Sequence, residues 1–209
     1  ISEAYGVDLI KTTDRYIKFY TAAKQSNLAL KETEKIFETV TKASGVLGLK
    51  THELEGVYLA LEQMLSKGKV TTEELRRQLG ERLPGAFGIM ADAIGVNTRE
   101  LDRMLKAGEV LSAEALPKFA DALTKAYSLE NIERVDTLIA AQNRLKNAWV
   151  EYVSGFSSSS DTVKRALNFL AKNLDKVVKT TISLVKGFIA YKVVVIALSA
   201  AMRAYTVVT

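Results

Sequence analysis

Ser66–Gly88 reads SKGKVTTEELRRQLGERLPGAFG, and the punctuation of that stretch decides the fold class. Gly68 can take the left-handed conformation that ends a preceding helix. Thr71, followed three residues later by Glu74, has the form of a capping box, which satisfies two orphan amides at a helix start. Leu75, Leu79 and Leu83 recur at four-residue spacing, so one face is apolar while Arg76, Arg77, Glu81 and Arg82 lie largely elsewhere. Pro84 suits the first turn of a new helix, where its missing amide is not needed. A stop, a start, an amphipathic run and a second start make this stretch helical.

The same grammar extends both ways. Residues 4–25 are predicted helical, with Ile10, Ile17 and Tyr20 on one stripe and Lys11, Asp14 and Lys18 off it. Ser26 and Asn27 break that pattern and can cap the next helix. This second helix, about 30–44, runs through Ile36, Phe37 and Val40 to a stop at Gly45/Gly48. Thr51 opens a third, whose buried face is Leu54, Val57, Tyr58, Leu61 and Leu65. Further helices are expected from Thr72, Pro84, Thr98 and Ser112. No convincing alternation of period two occurs anywhere, so the chain is read as all-α.

A near-repeat links two of these helices. Gly48-Leu-Lys-Thr-His-Glu-Leu54 matches Gly95-Val-Asn-Thr-Arg-Glu-Leu101, and Gly68-Lys-Val70 matches Gly108-Glu-Val110. Thr51 and Gly68 are 17 residues apart and Thr98 and Gly108 are 10 apart. The difference of seven residues is two helical turns, which keeps the apolar face in phase. Two copies are too few for a solenoid and imply two related helical hairpins packed on each other.

From about Ser128 the pattern changes to a heptad seam: Val135, Leu138, Gln142, Leu145, Trp149, Tyr152 and Phe156. Gly155–Asp161 is the linker-like stretch. The seam then resumes through Val163, Leu167, Leu170, Leu174, Val177, Thr181, Leu184, Phe188, Tyr191, Val195, Leu198, Met202 and Tyr205. Such a run needs a partner helix, from the same chain or from copies of it. Residues 161–205 would form a rod roughly 70 Å long. The expected organisation is therefore an N-terminal helix over 1–29, a compact helical domain over 30–127 and a long heptad helix over 128–156. A Ser-rich linker at 157–161 and a basic, apolar heptad helix over 161–209 complete it.

Composition excludes several function classes. Hydrophobic residues make up 48% of the 209 and charged residues 25%, which is globular rather than disordered. There is no cysteine and one histidine, His52, so thiolate chemistry and histidine-based metal sites are not expected. Neither Gly45–Gly48 nor Gly85–Gly88 carries the Lys-Ser/Thr ending of a phosphate loop. No nucleophile–base pair is recognisable, and the chain is read as non-enzymatic and without cofactors. His52, in the first turn of a helix beside Glu53, is read as a solvated surface residue. The net charge of +5 is uneven: residues 1–160 carry 21 basic and 22 acidic side chains, residues 161–209 eight and two. The two parts are expected to face different surroundings. The chain starts at Ile1 and stops at Thr209 inside an apolar pattern, and is read as a piece of a longer protein.

Two alternatives come from spacing. Ala91, Gly95, Val96, Leu101 and Met104 fall at helix-turn-helix spacing, with Arg99, Arg103 and Lys106 on one face of the second helix. Against DNA binding, Glu100 and Asp102 interleave with these cations, and the same spacing recurs around Gly48. Val193–Met202 is uncharged between Lys192 and Arg203, but it is about half the roughly 20 residues of a bilayer span. Contact of the basic, apolar tail with a membrane is the second alternative.

The stretch from Gln63 to Ala86 also resembles the conserved domain near the N-terminus of tailed-phage tape measure proteins. The resembling positions include Gly68, Thr71, Glu74, Leu75, Leu79, Gly80, Glu81, Leu83, Pro84 and Gly85. They continue through Gly95 and Gly108 to Leu116 and Pro117, and the resemblance covers roughly residues 30–155. It implies a structural protein that lies as extended helices in the lumen of a phage or prophage tail tube. There its length would set tail length, and it would leave ahead of the DNA at infection. It implies tail tube and tail-assembly chaperone partners, self-association in a small bundle such as a trimer, and no specific nucleic acid. The virion, and the host cytoplasm during assembly, are the implied locations.

Overall fold

The structure is a computed structural model that describes residues 1–154 and, beyond them, Asn168, Lys172, Asn173, Asp175, Lys176, Lys179, Ser183 and Lys186. Two compact units divide the chain, Ile1–Glu151 and Tyr152–Thr209. Among the described residues every regular element is helical, so the chain is all-α. In the second unit the described positions are helical, and Lys179 pairs with Asp175 at 2.7 Å. The seam positions from Val163 to Met202, namely Val163, Leu167, Leu170, Leu174, Val177, Leu184, Phe188, Tyr191, Val195, Leu198 and Met202, lie outside the described residues.

The first unit begins with a short helix α1 (Ser2–Tyr5), ended by Gly6 in the left-handed region at φ 64°. Helix α2 (Leu9–Gln25) comes next, its start capped by Asp8, whose carboxylate accepts from the Lys11 amide at 3.0 Å. The continuous helix expected over 4–25 is thus two, because Gly6 reverses the chain. A Cβ on Gly6 would overlap that of Ala140, so only glycine fits there.

The apolar stripe read from the sequence on α2 faces out: Ile10 is 56% and Ile17 60% exposed. Thr12, Phe19, Ala22 and Ala23 make the buried side instead. Two isoleucines and a tyrosine count for less than one fully buried Phe19 and two alanines that let the backbones approach closely. Ser26 and Asn27 do not cap the next helix either. Ser26 Oγ donates to the Leu65 carbonyl at 2.6 Å, and Asn27 takes φ 53°.

Helix α3 (Leu30–Val46) and helix α4 (Thr51–Lys67) complete the aromatic centre of the core. Phe37 stacks on Tyr58 with centroids 4.4 Å apart and meets Tyr16 edge-on at 5.0 Å. Phe19 lies 5.8 Å from Phe37. The buried Tyr58 hydroxyl shares a 2.6 Å hydrogen bond with Thr41 Oγ1, which supplies the partner that burial demands. The predicted face of α4 is buried in full: Leu54, Val57, Tyr58, Leu61 and Leu65. A reciprocal bond at the α4 start runs from the Lys50 amide to Glu53 Oε2 at 2.7 Å.

Beyond α4 come a π-helix (Glu73–Leu79), α5 (Ala86–Ile94), α6 (Thr98–Ala107) and α7 (Ser112–Ala126). Leu75, Leu79, Leu83, Met90, Leu101, Leu116 and Phe119 carry the same core across them. Residues 1–29 share this core through Val7, Phe19, Ala22 and Ala23 rather than forming a separate layer. After α7 the chain is not helical again until α8 (Leu138–Ser154), ten residues later than the start expected near Ser128. Ser128 at φ 51° ends α7, and Thr137 Oγ1 accepts from the Ala140 amide at 3.1 Å to start α8.

Candidate functional site

Several of the residues singled out from the sequence, Gly68, Thr71, Glu74 and Gly108 among them, meet at the joint after α4. Gly68 ends α4 at φ 70° and Gly108 ends α6 at φ 71°. Both are left-handed, which a side chain with a Cβ resists. The two turns then cross each other. The Val70 amide donates to the Val110 carbonyl at 2.8 Å, and the Ser112 amide donates to the Gly68 carbonyl at 3.1 Å. The repeated Gly-x-Val is therefore a backbone clamp between two turns, with Val70 and Val110 both buried.

Glu74 is the buried charge of this joint, at 1% exposure. Burial works against its ionisation, yet hydrogen bonds from the Lys67 ammonium and the Thr71 hydroxyl outweigh that and hold it below the usual carboxylate range. The capping box expected of Thr71 and Glu74 is not formed in its usual sense. The two side chains bond each other, and the helix they introduce is a π-helix, closed by the Gly80 amide on the Leu75 carbonyl at 3.0 Å. A Cβ on Gly80 would overlap the Arg76 carbonyl oxygen, so the π-turn requires glycine at its end.

Leu75, Leu79 and Leu83 are fully buried. Arg82 packs over Gly56 of α4 and donates to the Gln78 carbonyl at 2.6 Å. Glu81 is exposed. Helix α5 starts at Ala86, two residues after the expected Pro84, because Gly85 sits left-handed at φ 77° as its cap. The Pro84 carbonyl instead accepts from the Tyr127 hydroxyl at 2.7 Å, which ties this loop to the end of α7. Gly95 ends α5 at φ 75°. Leu116 is buried, and Pro117 lies inside α7, where it costs one helical hydrogen bond.

The helix-turn-helix spacing is present in α5 and α6, but two of its three cations, Arg103 and Lys106, are engaged. Arg103 forks onto Glu100 at 2.8 Å and Glu109 at 3.0 Å, and Lys106 holds Asp102 at 2.6 Å. Arg76 lies 4.0 Å over the Phe87 ring and pairs with Asp102 at 3.5 Å. A phosphate backbone would have to displace these carboxylates, so the face does not favour DNA.

A groove of about 630 Å³ between α5 and α7 is lined by Ile89, Asp92, Ala93, Lys118, Asp121 and Lys125. It is shallow, and Asp121 is taken up by Lys35 at 2.7 Å. Among the described residues no three His, Cys, Asp or Glu gather to hold a metal, and no helix is long and apolar enough to cross a membrane. His52 is exposed.

Sequence reasoning missed a second cluster, on α8. Val135 is buried, but Leu138 and Leu145 are 76% and 74% exposed. The side of α8 that meets the body is polar. Asn147 accepts from the Leu9 amide at 2.9 Å and donates to the Val7 carbonyl at 2.8 Å, and Asn143 donates to the Gly6 carbonyl at 2.9 Å. Arg144 donates to the carbonyls of Glu3 at 2.9 Å and of Val135, and Lys146 bonds the buried Asp8. The available signal was two asparagines four residues apart, opposite a heptad seam.

The family model described as tape measure protein matches residues 1–158, which extends the resemblance back through α1 and α2. A probable tape measure protein of Salmonella phage Felix O1 (isolate Felix O1-VT1) is 31% identical over 171 residues, 79% of this chain. The chain spans 23% of that relative's length. No solved structure matches it significantly. On the family match over the whole folded body and the ordered identity to that relative, the chain belongs to the tape measure protein family.

Proposed function

We propose that this chain is part of a structural phage tail protein, a tape measure that sets tail tube length as an extended helical ruler in the tube lumen. In this reading it leaves the tube ahead of the DNA at infection. The observation that carries the proposal is the family match across residues 1–158. An α-helix rises 1.5 Å per residue whatever its sequence, so length in residues becomes length in space. The heptad positions from Val163 to Met202 would join copies into a small bundle, which resists bending better than one helix. The tail tube and tail-assembly chaperones are its proposed partners, with the virion its location and the host cytoplasm its place of assembly. Contact of the basic tail with a host membrane remains part of the proposal through residues 161–209.

In-frame deletions in the helical part of the full-length gene test the ruler. Removing 100 residues of helix should shorten tails by about 150 Å in electron micrographs. Tails of unchanged length would end the proposal. The bundle is tested by Leu174→Asp with Leu198→Asp, which should reduce the mass in light scattering. An unchanged mass would contradict self-association through the seam.

A further inference from the structure

The junction between α8 and the body is built unlike any other contact in the first unit. Residues 1–9 belong to the body. Val7 lies in its core, Tyr5 donates to Glu38 of α3 at 2.6 Å, and the Tyr5 carbonyl lies close against Gly45. Helix α8 reads the outer side of that segment by its backbone. The carbonyls of Glu3, Gly6 and Val7 and the amide of Leu9 are all bonded by Asn143, Arg144 and Asn147. Buried apolar contact is confined to Tyr5, Val135 and Ala140, apart from the main core.

We propose that α8 is a releasable arm, held to the folded body by a hydrogen-bonded clasp on residues 3–9 and able to detach as a unit while α2–α7 stay folded. Released, the four backbone groups, the Asn and Arg side chains and the Lys146–Asp8 pair regain water, which offsets most of each bond's strength, least so for the charged Arg144 and Lys146. Little apolar surface is exposed, because Leu138 and Leu145 already face solvent when the clasp is closed. The rest of the body offers no such seam, since its helices are joined through one continuous apolar cluster. Elements with few buried apolar contacts are the ones that open locally below the global unfolding free energy. Gly6 is the latch point. Its backbone lies against Ala140, with no room for a Cβ, so the clasp closes only over glycine.

Hydrogen exchange on the 209-residue chain, read by mass spectrometry, tests this with two variants. Asn147→Ala adds no bulk and removes two clasp bonds, and should speed exchange of amides 141–151 roughly tenfold. Gly6→Ala should speed it further, by wedging α8 away. In both, α4 amides should keep their wild-type rates. Two results would overturn the proposal: unchanged exchange of α8 in Asn147→Ala, or acceleration of α4 in step with α8. The second would mean that arm and body open as one unit. If Gly6→Ala alone fails to fold, the Asn147→Ala comparison of α8 with α4 still decides.

Discussion

The aromatic centre of the body and the clasp under α8 join helices by opposite means. At the centre, Phe19, Phe37 and Tyr58 are almost wholly removed from water, and Phe37 meets both of the others across three helices. At the clasp, polar side chains bond the backbone of residues 3–9 while the leucines of α8 point outward. Apolar burial is non-directional and adds with area, so the centre is strong and tolerant of small shifts. Hydrogen bonds to backbone groups are directional and contribute little net stability, so the clasp fixes position more than it adds strength.

The comparison breaks most visibly at the centre. Phe37→Ala should cost about 3–5 kcal/mol and lower the urea midpoint of the first unit as a whole, followed by circular dichroism. A loss confined to α3 would show that the aromatic cluster does not organise the body. Next comes the joint. Glu74→Ala should cost about 1–3 kcal/mol in the same measurement. The effect is kept below that of a fully buried pair because Lys67 is 48% exposed.

Acid should act on the joint and on the clasp in one direction. Glu74 and Asp8 are each held below the usual carboxylate range. For Asp8, burial opposes the charge, but the Lys11 amide and the Lys146 ammonium outweigh it. A depressed folded-state value means the stabilisation is fully present above the unfolded carboxylate range and is lost as pH falls through the folded values. Stability measured against pH should therefore decline below that range, and Glu74→Gln should flatten part of the decline. A Glu74→Gln curve that kept the full slope would place the titrating groups elsewhere. The smallest effect belongs to the exposed side of α8. Leu145→Ser should change stability by no more than about 0.5 kcal/mol, since Leu145 is 74% exposed.

Much of the body was legible in the sequence because turns leave chemical marks. Gly68, Gly95 and Gly108 sit where helices end, and all three are left-handed in the structure. Leu75, Leu79 and Leu83 point inward because four-residue spacing holds one face through the π-helix and the turn beyond it. What failed to show was which face docks. Periodicity marked Ile10 and Ile17 on α2 and Leu138 and Leu145 on α8 as apolar stripes, yet both helices pack through the other side. A pattern reports the polarity of a face, not the neighbour it meets. The neighbours of α8 are backbone carbonyls and amides, which every residue carries and no sequence distinguishes. The π-turn was hidden for a related reason. Thr71 and Glu74 have the spacing of a cap, but Lys67, seven residues before Glu74, takes the carboxylate across the Gly68 turn.

Native-state hydrogen exchange of the whole chain at increasing urea tests the contrast between clasp and centre most directly. Amides of α3, α4 and α7 should converge on the global unfolding line. Those of α8 within residues 141–151 should exchange through a smaller opening that barely depends on urea. If the α8 amides merged with the global line from the start, the arm would be part of the core and the contrast would be refuted.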